Sequence, residues 1–208
     1  MTKVTHIDLL RHGETQGGSR FRGRLDDPLT ATGWEQMWTA VGQADRKRTW
    51  DAIIASPLAR CADFAQALSE HQGIPLRLDQ RLAELDFGAW EGKTATDLMA
   101  TDAEALGRFW ADLLANTPPG GEPLLAFAAR VLAAWGDLLD QESGERVLVI
   151  GHGGVIRVIL CQVLGHPLGQ LLELDVGHAS LKRLQVARTS TQAGHHVNLR
   201  LVKDRESP

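Results

Sequence analysis

At 208 residues, with 43% hydrophobic side chains and a formal charge of −4, the chain is long enough for one domain with a sizeable core. The negative balance excludes a general affinity for polyanions, so any cationic surface is local and neither nucleic acid nor a membrane is expected as a partner. Cys61 and Cys161 each lie in an apolar helical run and are expected as reduced thiols. No apolar run reaches membrane length and no signal peptide precedes the first strand, so the expected location is cytoplasmic.

The apolar run Val4 to Leu10 predicts a buried first strand, and it delivers Arg11 and His12 together before turning at Gly13. Thr30 is placed to cap a helix to about Gln43, with Trp34, Met37, Trp38 and Val41 on one face. Ala52 to Ala55 predicts a second strand. Ser56 and Pro57 then suit an N-cap and first helical position, with Leu58, Ala62, Ala65 and Leu68 as the buried stripe and Arg60 in the first turn. Residues 76–78 fit a short strand and residues 94–115 a helical excursion over the site, which Pro118-Pro119-Gly120-Gly121 ends. A long helix follows from about Glu122 to Gln141. Val147 to Ile150 is a further strand, and Gly151-His152-Gly153-Gly154 leads into a helix from Val155 to Leu164. Leu181 to Val186 and Val197 to Val202 fit a hairpin around 189–194, with His195 and His196 at the surface.

Strands alternating with helices predict an α/β protein with parallel strands, whose ligands bind beyond the carboxyl ends of those strands. Arg11 and His12, Arg60, and His152 all fall at such ends. A lone histidine there is more often structural, and a lone arginine in a first helical turn opposes the helix dipole. Recurrence at three equivalent junctions instead points to an anion with at least two charges, and phosphate suits both the arginines and the helix N-termini. Residues alone leave Glu84, Asp86 and Glu91 as carboxylates for acid–base work. The alternation Arg20, Arg22, Arg24 fits either anion steering or a solvated loop.

The block Leu10-Arg11-His12-Gly13-Glu14-Thr15 resembles the signature of the histidine phosphatase superfamily, also called phosphoglycerate mutase-like. The resemblance continues through 20–33, Ser56-Pro57-Leu58-Ala59-Arg60-Cys61, Glu84 to Gly92, and Gly151-His152-Gly153-Gly154, in the family's order. It implies a three-layer α/β/α fold with a mostly parallel central sheet, one domain over 1–208, and residues 94–122 covering the substrate. Segments 97–110 and 118–131 are similar to the α-ribazole phosphatase branch, which implies α-ribazole 5′-phosphate as substrate, in the assembly of the cobalamin nucleotide loop. Phosphoglycerate mutase, a broad small-molecule phosphatase and a non-enzymatic phospholigand-binding protein are the alternatives.

Carried onto this chain, the resemblance implies that His12 takes the phosphoryl group, that Arg11, Arg60 and His152 bind its oxygens, and that Glu84 is the acid–base group. No metal or cofactor is implied, the rival being a metallophosphatase built on His12, His152 and carboxylates. Where the family commonly has a phosphate-binding asparagine, this chain has Gly18, with only its backbone N–H to offer, so Ser19 or Gln16 is the expected substitute. Gly23, Arg24 and Gly153 are placed at the substrate. Trp110, Phe109 or Trp90 is expected to stack on an aromatic base. Glu14 is expected to brace the loop, Asp26 and Asp27 to shape the turn before Thr30, and Arg157 to form a salt bridge. The expected partner is a small phosphorylated metabolite, and a homodimer is left open.

Overall fold

The computed structural model describes residues 2–44, 50–142, 145–191 and 194–202. At its centre is β1 (Thr2–Arg11), which pairs in parallel with β4 (Arg146–Gly151). β4 pairs in parallel with β2 (Ala52–Ala55), and β2 with β3 (Leu76–Leu78). The other side of β1 is antiparallel to β5 (Leu181–Thr191), which forms a hairpin with β6 (Gly194–Val202). The sheet order is therefore β3-β2-β4-β1-β5-β6, mostly parallel, as expected. Residues 192–193 and the side chains of His195 and His196 lie outside the described residues.

Both faces are covered. Along β1, Ile7 and Leu9 join Val147, Val149 and Ile54 in a core with helices α5 (Leu124–Gln141) and α6 (Gly153–Leu164). Leu10 joins Leu148, Ile150 and Ile53 on the opposite face, under α1 (Ala31–Ala44) and α2 (Ala59–Gln72). The period of two places successive residues in different layers, which is why these strands are apolar throughout. Asp8 is the exception on the second face: it is buried and accepts the indole N–H of Trp50 at 2.9 Å.

Thr30 caps α1 as expected, its hydroxyl accepting the Gly33 N–H at 3.0 Å. The start of α2 differs from the sequence expectation. It begins at Ala59, and the residues buried along it are Arg60, Cys61, Phe64, Ala65 and Leu68 instead of a stripe through Leu58 and Ala62. The reason is that the Ser56 hydroxyl bonds to His152 and to the Leu58 N–H. Asp26 from a distant loop caps the helix instead, accepting the Ala59 N–H at 2.7 Å. The excursion after residue 94 is two helices, α3 (Ala95–Thr101), opened by a Thr94–Asp97 capping box, and α4 (Ala103–Ala111). α5 starts at Leu124 with Pro123 as its N-cap, two residues later than Glu122.

The loop that leaves β1 is pressed backbone to backbone on the first turn of α1. A Cβ on Gly33 would lie 2.0 Å from the Glu14 carbonyl oxygen, and one on Gly13 would lie 2.2 Å from that of Gly33. No flexible side chain can yield there. Gly33→Ala is expected to cost roughly 1–3 kcal/mol of unfolding free energy. In the same helix, Gly42→Ala, whose Cβ would meet nothing within 4 Å, is expected to gain about 0.5–1 kcal/mol. Urea midpoints at constant m-value measure both changes.

Candidate active site

The register sets the site. Leu10 lies beside Ile150, and Ile150 beside Ala55, so three parallel strands end at one level. The ladder closes with His12 N–H to Gly151 O and Ser56 N–H to Ile150 O, both at 3.0 Å. Arg11 and His12, Ser56, and His152 therefore emerge together, and Arg60 follows on the first turn of α2.

His12 is buried, and its Nδ1 is 2.8 Å from the Gly13 carbonyl. A carbonyl only accepts, so Nδ1 carries the proton and Nε2 holds the lone pair. Burial, together with the nearby charges of Arg60 and Arg11, holds the imidazole well below its usual range, against the Gly13 bond, which favours the cation. His152 stands edge-on to His12, with ring centroids 5.3 Å apart. Its Nδ1 accepts the Arg60 Nε–H at 3.2 Å, which leaves Nε2–H to donate to the Ser56 hydroxyl at 2.6 Å. Burial first, then Arg60, keeps it neutral as well. Cys61 packs beside this ring with its thiol on the Gly151 carbonyl, and burial pushes that thiol up, away from the thiolate.

A cavity of about 300 Å3 opens over these strand ends, lined by Arg11, His12, Ser19, Arg20, Arg22, Gly23, Arg60 and Glu84, with Phe21, Phe87 and Ala95. Arg60 spends three of its five N–H groups on His152 and on the carbonyls of Leu25 and Gly23. Arg11 donates to the Val176 carbonyl at 2.7 Å, while its buried Nε–H has no partner among the described residues. An orphaned guanidinium N–H beside a cavity is the mark of an anion site. Glu84 faces the same cavity, its carboxylate accepting the Gly154 and Leu85 N–H groups, both at 3.0 Å.

The other two carboxylates point elsewhere. Glu91 takes the N–H groups of Arg24, Leu25 and Phe87, and Asp86 takes that of Gly88. Glu14 does brace a loop, accepting the Thr30 hydroxyl at 2.8 Å. Asp27 is bound by Arg20 and Arg22, whose hydrogen bonds outweigh its burial and lower its pKa. These two arginines line the cavity wall, a placement that the Arg20/Arg22/Arg24 alternation alone did not distinguish.

Several expected positions are corrected. His152, expected at the phosphate oxygens, does not line the cavity, and its two nitrogens are engaged by Arg60 and Ser56. Arg24 is exposed and does not line the cavity; its backbone N–H donates to Glu91. Gly18 is exposed and gives its carbonyl to Arg22, leaving Ser19 as the loop hydroxyl at the cavity. Trp90 is a core residue, packed on Phe21 and Phe109 with its indole N–H on Asp102, and does not line the cavity. Among the described residues Arg157 makes no salt bridge: it donates to the Leu174 carbonyl at 2.9 Å. Sequence reasoning gave Ser56 no role beyond capping, and passed over His178, whose ring lies 5.6 Å from that of His12. Among the described residues, no group of three His, Cys, Asp or Glu side chains is placed to hold a metal, and no helix is long and apolar enough to cross a membrane.

A second cavity of about 200 Å3 adjoins the first across Arg11, Phe21, Glu84 and Phe87. Its walls are apolar and aromatic, with Phe109, Trp110, Leu113, Leu124, Phe127, Leu171 and Leu172, and its polar residues include Asn116, Glu122 and Arg157. Trp110 is half exposed at its mouth.

An unprotonated imidazole nitrogen, two convergent guanidinium groups and a carboxylate at parallel strand ends define a phosphoryl-transfer site. The profile of the histidine phosphatase superfamily (branch 1) matches residues 7–198, and the chain belongs to that family. Similar to it are a bifunctional protein of Mycobacterium tuberculosis, 35% identical over 85% of this chain, and the glucosyl-3-phosphoglycerate phosphatase of Mycolicibacterium vanbaalenii, 34% identical over 88% of this chain and 84% of the relative. The chain spans about half (49%) of the former. The α-ribazole phosphatase of Shigella flexneri has the same fold, with a TM-score of 0.77 and 28% identity over 96% of each chain.

The two buried histidines predict an acid-sensitive fold. Each is neutral when folded but takes up a proton in the unfolded chain below about 6.5, so protonation favours unfolding as pH falls through that value. Asp27, Asp79 and Asp97, all lowered, add to this only near and below 3.8, and Asp8, raised by burial, acts in the opposite sense. Unfolding free energy is therefore expected to drop between about pH 6.5 and 4.5, by at most about 1.4 kcal/mol per pH unit for each histidine. His152→Gln should flatten the slope, and a level wild-type profile across that window would contradict the assignment.

Proposed function

We propose that this protein is a metal-independent phosphomonoesterase that works through a phosphohistidine on His12. The observation that carries the proposal is the Nδ1–H bond of His12 to its neighbour's carbonyl, which leaves Nε2 unprotonated and facing a cavity walled by cations. In the first step Nε2 attacks phosphorus, the P–N bond forms and the ester P–O bond breaks. Glu84 is the proton donor to the departing oxygen. In the second step the Glu84 carboxylate takes a proton from water as its oxygen attacks phosphorus. The P–N bond then breaks, inorganic phosphate leaves, and Glu84 is protonated again. Arg11 and Arg60 stabilise the charge on the non-bridging oxygens. His152 and Ser56 hold Arg60 and the back of His12, and Arg20 and Arg22 line the entrance.

For the alcohol we propose the second cavity, and α-ribazole 5′-phosphate as the substrate. Support comes from the aromatic walls, which suit a flat base, and from the similarity to α-ribazole phosphatase. Arg157 favours a second reading. It is a cation in that cavity with no carboxylate partner among the described residues, which suits a phosphoglycerate-type alcohol such as the one named for the mycobacterial relative.

Incubation with a phosphodonor is expected to leave an acid-labile adduct on His12, and an adduct on His152 with His12 unmodified would sink the assignment. His12→Ala should abolish turnover. A phosphatase panel with α-ribazole 5′-phosphate, glucosyl-3-phosphoglycerate, 3-phosphoglycerate and sugar phosphates, run with and without EDTA, tests the rest. Activity should survive chelation, and its loss with rescue by a divalent ion would favour the metallophosphatase. Trp110→Ala should raise KM for α-ribazole 5′-phosphate about 2–10-fold while sparing a small generic phosphoester. Equal losses on both would mean that Trp110 supports the fold instead.

A further inference from the structure

Arg130, on the face of α5 behind the site, lines neither cavity, yet all five of its N–H groups are used. Nη1 donates to the carbonyls of Arg81 and Ala83, each at 2.7 Å, and Nη2 donates to the carbonyl of Glu84 at 3.0 Å. The remaining two, from Nε and Nη2, grip the Glu122 carboxylate at 2.7 and 2.8 Å. The guanidinium also sits 4.8 Å from the centroid of the Phe127 ring. Three of the four carbonyls from Arg81 to Glu84 therefore converge on one rigid plane. Arg130 does not touch the Glu84 carboxylate, whose two oxygens are set by the N–H groups of Gly154 and Leu85.

We propose that Arg130 is a positioning residue for proton transfer: it fixes the backbone of Glu84 so that the carboxyl group reaches the ester oxygen. The proposal rests on the reading of Glu84 as the acid–base group. A segment with no strand partner needs its carbonyls satisfied, and only the planar five-donor fork of arginine does this and binds a carboxylate at the same time. Lysine offers three donors from a point and cannot hold this geometry. Small displacements of a reacting group are expensive, so loosening this anchor should be felt in the step that needs the proton.

The test compares 4-nitrophenyl phosphate, whose leaving group departs without a proton, with 4-nitrobenzyl phosphate, an alkyl ester of similar size that needs one. The readout is kcat/KM, which reports the steps up to phosphorylation of His12. Glu84→Gln should lower the benzyl ester about 10²–10⁴-fold and the phenyl ester far less. Arg130→Lys should show the same pattern more weakly, with roughly 10-fold on the benzyl ester and under about 3-fold on the phenyl ester. Equal losses on both esters, or no loss on either, would overturn the proposal while leaving Glu84 in its role. If Glu84→Gln itself showed no dependence on the leaving group, the reading of Glu84 would fail and this proposal with it. Should Arg130→Lys not fold, Glu122→Gln, which keeps Arg130 but weakens its carboxylate anchor, decides by the same ratio.

Discussion

The structure depends on the shared level at which β1, β4 and β2 end. Leu10, Ile150 and Ala55 lie side by side, so the next residues of each strand leave the sheet into the same space. A slip of one residue in any of these pairings would turn the apolar residues of that strand into the wrong layer, so both cores oppose it. The alignment of His12, Ser56 and His152 is therefore enforced by hydrophobic packing far from the chemistry. Their contacts, such as the Ser56–His152 bond at 2.6 Å, join chain positions 96 residues apart.

Within that frame the dominant difficulty is electrostatic. Arg11, Arg60, Arg20 and Arg22 crowd one cavity, and burial lowers the pKa of both Arg11 and Arg60. The protein relieves the crowding with carbonyl oxygens more than with opposite charge. Arg60 is held by the carbonyls of Leu25 and Gly23 and Arg11 by that of Val176, while the outer pair, Arg20 and Arg22, reaches Asp27. Carbonyls orient a guanidinium without cancelling it, so the field inside stays positive and suits a dianion.

The sequence made the strands and the ends of most helices legible because those are local properties. β2 came out at its observed limits, and the glycines after His12 and His152 marked where strands stop. The faces of α1 and α6 followed from their apolar spacing, whereas the buried face of α2 did not. Long-range polar pairings were not legible. Asp26 caps a helix whose first residue is 33 positions away, and nothing near Ser56 says that its hydroxyl belongs to His152. Arg24 and Arg22 are indistinguishable as residue types, and Glu91 and Asp27 decide which of them faces inward. Trp90 went into the core because Asp102, at the joint between the two short helices, accepts its indole N–H.

Cys61 shows what kind of control this architecture does not lend itself to. Its sulfur sits against the ring of His152, wholly buried, and its proton is held more tightly than in an ordinary thiol. Cys161 is likewise buried and shifted upward. Oxidants and alkylating agents act on exposed thiolate, and neither sulfur offers it. The nucleophile proposed for this site is a nitrogen, untouched by mild oxidation. The chemistry at these strand ends is thus insulated from the redox state of its surroundings, even with a sulfur in van der Waals contact with the site.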